Sequence, residues 1–190
     1  MKKNSLFTTK KLVLTAMLAA LTVAGSAIRV PIPIDIAGTT AFHLGNIFCA
    51  LSGILLGPWL GGLAAGMGSA IYDMLNPLYI SEAWITFLFK GMYGLATGLV
   101  VWSCKKEWGY VKAIIGTAAG AISYAVLYLL KSYFYNGLLV HHLEPQAALL
   151  TIYAKLPATI FNAAIAVICA PILAVAIRTA LKKAHLSLEG

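Results

Sequence analysis

Apolar runs dominate this chain, and the few polar positions between them set the boundaries of six predicted helices. The first run is about 11–29, and it ends before a loop, Val30 to Thr40, that holds Pro31, Pro33, Asp35 and Gly38. From Ile36 to Tyr72 there is no Asp, Glu, Lys or Arg. That stretch is too long for one span of about 20 residues, and Gly57-Pro58 interrupts it. It therefore reads as two helices, about 42–56 and 59–75, joined by a tight turn, with Asn76-Pro77 ending the second. Three further helices follow at about 83–103, 111–135 and 149–181, with an outer loop over 136–148. The expected fold class is all-α: a single integral membrane domain over 1–190, built as a bundle of six transmembrane helices.

Composition supports a membrane solvent. The 190 residues are 61% hydrophobic and 11% charged, against about 25% charged in soluble domains. Charge then supplies the orientation. Ten of the fourteen Lys and Arg residues fall at one set of helix ends: Lys2, Lys3, Lys10, Lys11, then Lys105, Lys106, Lys112, then Arg178, Lys182, Lys183. By the positive-inside rule both termini are expected in the cytoplasm. The net charge of +8 sits in these short inner segments, so it does not imply a nucleic-acid partner. The first run also has the basic start and small-residue end of a cleavable signal peptide. Removing it would leave five spans and set the C-terminal basic cluster against the 105–112 loop. Cys49, Cys104 and Cys169 have no motif spacing and read as packing residues.

Four basic residues escape the pattern. Arg29 falls at the outer end of the first helix, and Lys90, Lys131 and Lys155 fall inside spans, where an ionisable group is costly and marks a pathway or site. Lys90 shares a helix face with Phe87 and Gly94, with Tyr93 nearby and Trp84 at the helix start. Tyr124, Tyr128, Lys131 and Tyr135 follow helical spacing on the fifth helix, as do Lys155, Thr159 and Asn162 on the sixth. These faces are candidates to line one outward-open cavity, with Asp73, Asn76 and Glu82 at its rim. The competing reading has Lys131 and Lys155 snorkelling to the interface, Lys90 paired with Asp73 or Glu82, and Trp84 in the interfacial belt. His141-His142-x-Glu144 reads as a polar loop in preference to a metal site. The sequence carries no nucleophile elbow, Walker A loop or paired intramembrane carboxylates, so it implies no enzyme, no ATPase of its own, no cofactor and no bound metal.

Small residues recur every four positions: Ala16, Ala20 and Ala24; Gly62, Gly66 and Ala70; Gly94 and Gly98; Gly116 and Gly120. Such stripes allow close helix packing, within the bundle or against another membrane subunit.

In the order of its segments the chain resembles the substrate-binding S components of energy-coupling factor (ECF) transporters. The resemblance rests on the run from Lys11 to Leu21, on Phe42-His43-Leu44-Gly45-Asn46, on Leu55-Leu56-Gly57-Pro58-Trp59-Leu60-Gly61-Gly62, on Gly66-Met67-Gly68-Ser69-Ala70 and on Phe89-Lys90-Gly91. It implies a subunit of the plasma membrane of a prokaryote that captures a water-soluble vitamin or related micronutrient from outside. An energising module of one transmembrane scaffold and two ATPase subunits then drives uptake. It also implies that Ala16, Ala20 and Ala24 contact that module. The ligand is expected in the outer half, beneath the loop between the first two helices, where the three lysine faces fall. The start Met1-Lys2 departs from the Met-His start of cobalt and nickel members. The alternative is a stand-alone ion-coupled secondary transporter, whose inverted repeat with broken helices is not visible here. The outer lysines suit a carboxylate-bearing ligand, and the aromatics suit a flat ring equally well.

Overall fold

The computed structural model describes residues 8–34, 38–103 and 108–184. Among the described residues, five helices are long and apolar enough to cross a membrane. Asp35, Lys2, Lys3, Cys104, Lys105 and Lys106, which figured in the sequence reading, lie outside the described residues.

Helix α1 spans Thr9–Ala27 and starts on the Thr8 side chain, which accepts a hydrogen bond from the Lys11 amide. A Ser/Thr cap of this kind satisfies one of the unpaired amides of the first turn. The helix ends at Ala27, two residues before the predicted end, and the chain is extended from Ile28.

The segment expected to be a loop is a β-hairpin. Strand β1, Arg29–Ile34, pairs antiparallel with β2, Gly38–His43, with Arg29 opposite His43 and Ile34 opposite Gly38. Pro31 and Pro33 concealed it, because proline breaks a central strand. In a two-stranded ribbon every second amide points away from the partner, and prolines two apart share that parity.

Helix α2, Gly45–Met74, folds back on itself. Gly57 adopts φ 81° and ψ −174°, and Pro58 follows. Beyond the turn, the Ser52 hydroxyl donates to the Gly61 carbonyl at 2.8 Å. In an unbroken helix residues nine apart would be separated by roughly 13 Å. The two arms therefore lie antiparallel, as Gly57-Pro58 led us to expect. Glycine is required where they meet: a Cβ on Gly61 would come within 2.6 Å of the Gly53 Cα.

A short 3₁₀ turn, Ile80–Glu82, leads into α3, Ala83–Val101. Helix α4, Tyr110–Lys131, passes without a break into a π-helical segment, Ser132–Val140. The helical run thus extends to Val140, beyond the expected end at 135, and shortens the predicted outer loop. Helix α5 is Pro145–Lys183. The glycine stripes on α2, α3 and α4 are internal contacts. A Cβ on Gly94 would lie 2.6 Å from the Gly61 carbonyl, and one on Gly120 would strike Thr97 and Tyr93. The α1 stripe differs. Ala16, Ala20 and Ala24 are all exposed, whereas Thr15, Leu18, Ala19 and Thr22 of the same helix are buried.

Candidate functional site

At one end of the bundle, beneath the hairpin, lies a cavity of about 330 Å³. Its walls come from the end of α1, both hairpin strands, both ends of α2, the 3₁₀ turn, α3, α4, the π segment and α5. Four cationic side chains line it, Arg29, Lys90, Lys131 and Lys155, against two carboxylates, Asp73 and Glu82. The described basic residues Lys10, Lys11, Lys112, Lys182 and Lys183 stand at the opposite helix ends.

The structure brings the three lysine faces together, and each lysine has different surroundings. Lys90 is 5% exposed. Its ammonium donates to Asn46 Oδ1 on the first arm of α2 and sits 4.0 Å from the centre of the Tyr124 ring. The sequence reading offered Asp73 or Glu82 as its partner, but neither holds it. Asp73 accepts a hydrogen bond from Thr86, and Glu82 pairs with Lys131. In that pair the Lys131 ammonium is 2.5 Å from Glu82 Oε2, while Asn136 donates to Oε1 at 2.7 Å. Lys155 is 4% exposed, with its ammonium 5.9 Å from the centre of the Tyr128 ring. Both Lys131 and Lys155 line the cavity.

Aromatic rings form its inner wall. Tyr93, Tyr124 and Tyr128 stack in sequence, with centroids 5.8 and 5.7 Å apart. Tyr124 and Tyr128 line the cavity, whereas Tyr93 is fully buried behind them. Tyr128 shares a hydrogen bond with Thr40 of the hairpin at 3.4 Å. Arg29 donates to Tyr72 at 3.1 Å and to Tyr79 at 2.5 Å, joining β1 to the far end of α2.

Several expected residues do not reach the cavity. Trp84 and Phe87 are 60% and 38% exposed on the outside of α3. One residue in three is not one face on a helix: Phe87 is turned about 60° from Lys90. Asn76 stands behind the wall, donating to Tyr72 at 3.5 Å and accepting from the Leu78 amide at 3.1 Å. Tyr135 is displaced by the π winding, which puts Asn136 in register with Lys131 instead. Of the adjacent histidines, His141 lines the cavity and His142 does not.

Asn162 lines the cavity but its side chain is committed to the hairpin. Its Oδ1 accepts from the His43 amide at 3.0 Å, and its Nδ2 donates to the Ala41 carbonyl at 2.8 Å. The His43 imidazole accepts from the Gly45 amide at 3.2 Å. Burial pushes its pKa well below the ordinary range, and the Lys90 and Arg29 charges push the same way, so the ring is neutral. Asn46, His43 and Tyr72 carried no ligand assignment from sequence. They are polar residues inside a run with no charged residue, and His43 and Asn46 also fall in a segment that carries the family resemblance.

A charged, tyrosine-walled cavity at one end of an apolar helical bundle marks the class: a multi-pass membrane protein with a candidate small-molecule site. The profile of the family described as ECF-type riboflavin transporter, S component, matches residues 6–179, and the chain belongs to that family. It is a transporter family and not an enzyme family. An uncharacterized protein in gap 3'region of Pyrococcus woesei is 34% identical over 118 residues, 62% of this chain and 74% of that protein. A UPF0397 protein of Streptococcus gordonii is 33% identical over 102 residues, 53% of this chain. The match spans only 52% of that second relative.

Proposed function

We propose that this chain is the capture subunit of an ECF importer for a compact water-soluble vitamin, taken up from outside a prokaryotic cell. The observation that carries the reading is the cavity lined by charged side chains at the helix ends opposite Lys10, Lys11, Lys112, Lys182 and Lys183. With basic ends inside, the cavity opens outward and both termini are cytoplasmic. The two arms of α2 then count as separate spans, giving six. The ligand rests on Tyr124 and Tyr128, with Lys90, Lys155 and Asp73 facing it. Lys131 is held by Glu82, and Asn162 fixes the hairpin as the roof. Tyr93 backs the ring wall, Asn76 orients Tyr72, and Trp84 and Phe87 face lipid. At about 330 Å³ the cavity is at the small end of ligand sites, which suits one vitamin-sized molecule. Riboflavin, named in the family's description, is the first ligand to test.

The exposed stripe of Ala16, Ala20 and Ala24 is the docking face for the transmembrane scaffold of the energising module, whose two ATPases supply the work. Small side chains let a partner helix approach closely in lipid. The test is uptake into proteoliposomes with and without scaffold and ATPase subunits. ATP-dependent uptake only in their presence supports the reading. Uptake by this chain alone, driven by an ion gradient, would make it a secondary transporter.

A further inference from the structure

The charges in the cavity do not balance, and one of its cations has no hydrogen-bonded partner either. Arg29, Lys90, Lys131 and Lys155 face Asp73 and Glu82, an excess of two positive groups. Lys131 has Glu82 at 2.5 Å. Lys90 has the Asn46 oxygen and the Tyr124 ring, and Arg29 has the hydroxyls of Tyr72 and Tyr79. Lys155 is 4% exposed, and among the described residues its ammonium makes no hydrogen bond and no ion pair. The Tyr128 ring face is 5.9 Å from it, a distance at which a cation gains little. Lys155 thus lines the cavity with its three N–H donors uncommitted among the described residues.

Resting on the capture reading above, we infer that the ligand is an anion at neutral pH, its carboxylate or phosphate group held by the Lys155 ammonium. A buried charge without a counter-charge is costly, and a bound anion removes that cost. The surroundings of Lys155 are donors and ring faces. Thr159 lies one turn on, Tyr128 stands beside it, and no carboxylate competes at hydrogen-bond distance. Glu82 lies closer to Lys131, which it already neutralises. An anion entering here completes the site, whereas a neutral ligand leaves Lys155 uncompensated. The carboxylate and phosphate cases share this chemistry and differ in charge and bulk.

The test is binding to the purified protein of vitamin pairs that differ in one anionic group: riboflavin and riboflavin phosphate, nicotinamide and nicotinate, pantothenol and pantothenate. The anionic member of whichever pair binds should win by about tenfold or more, the size of a hydrogen bond to a charged group. A phosphate or a carboxylate winner tells the two sources apart. Lys155→Gln should remove that preference by weakening the anion alone. Without ligand, Lys155→Met should melt at or above the wild-type temperature, because it removes an unbalanced charge, while Lys155→Arg should keep the anion preference. Tighter binding of a neutral member, or equal weakening of both members by Lys155→Gln, overturns the charge inference while upholding vitamin capture. No binding of any member by folded protein overturns the capture reading and this inference with it.

Discussion

Asn162, near the middle of α5, is bound twice to the last strand of the hairpin, accepting from the His43 amide at 3.0 Å and donating to the Ala41 carbonyl at 2.8 Å. Among the described residues, no other side chain ties the roof of the cavity to α5 with both donor and acceptor satisfied. Asn162→Leu is close in volume and removes both bonds, leaving an amide and a carbonyl buried without partners. The expected loss is about 1–3 kcal/mol for each unsatisfied group that water cannot reach. Ligand should leave faster, with a smaller change in its rate of entry. Stopped-flow release measured for wild type and variant checks this. Unchanged release would mean that the hairpin is held elsewhere.

Glu82→Gln strands Lys131 in the cavity. The pair is partly buried, with side chains 10% and 20% exposed, so the cost should fall below that of a fully buried pair, at about 1–3 kcal/mol. Lys131→Met added to Glu82→Gln removes the stranded charge and should recover most of the lost stability. Thermal melts of the single and double variants measure it. Two additive losses would show that the residues do not act as a pair.

Much of this fold was legible and some was hidden for identifiable reasons. The reversal at Gly57-Pro58 was readable because both residues break helices and no charge interrupts the run around them. The hairpin was not, since Pro31 and Pro33 mimic a loop, and only the two-strand ribbon geometry accommodates them. Lys90, Lys131 and Lys155 announced the cavity because a buried cation is rare in an apolar helix. Their partners were less visible. Asn46 lies far from Lys90 in sequence, and Asn136 aligns with Lys131 only through π winding, which no 3.6-residue pattern reveals. Phe87 and Trp84 failed as wall residues because aromatics on a membrane helix suit lipid as well as ligand.

Ala20→Leu should separate capture from transport. The residue is exposed on α1 with Ala16 and Ala24, so a leucine disturbs nothing inside the bundle but holds a partner helix away. Ligand binding in detergent should match wild type, and uptake with the scaffold and ATPase subunits should fall by about tenfold or more, as expected for a lost contact worth at least 1.4 kcal/mol. Lost ligand binding with normal assembly would place the stripe's role inside the bundle.

Lys90→Met keeps the stem and removes the ammonium from Asn46 and Tyr124. Ligand affinity should fall by about 1.5–3 kcal/mol if Lys90 meets the ligand through a charged hydrogen bond. Asn46→Leu in the same background removes the orphaned amide and should restore stability without restoring affinity. Calorimetric titration with the ligand checks the first outcome and thermal melting the second. Wild-type affinity in Lys90→Met would leave this lysine a structural link between α3 and α2.

The most direct test of the central claim is mass spectrometry of the small molecules released on denaturing the purified protein, compared between wild type and the Lys90→Met, Lys155→Met double variant. The account predicts one vitamin-class molecule released from wild type in near-equal amount to protein, and its loss from the folded double variant. The same molecule retained equally by both, or no molecule released from wild type purified from vitamin-supplied cells, would contradict it.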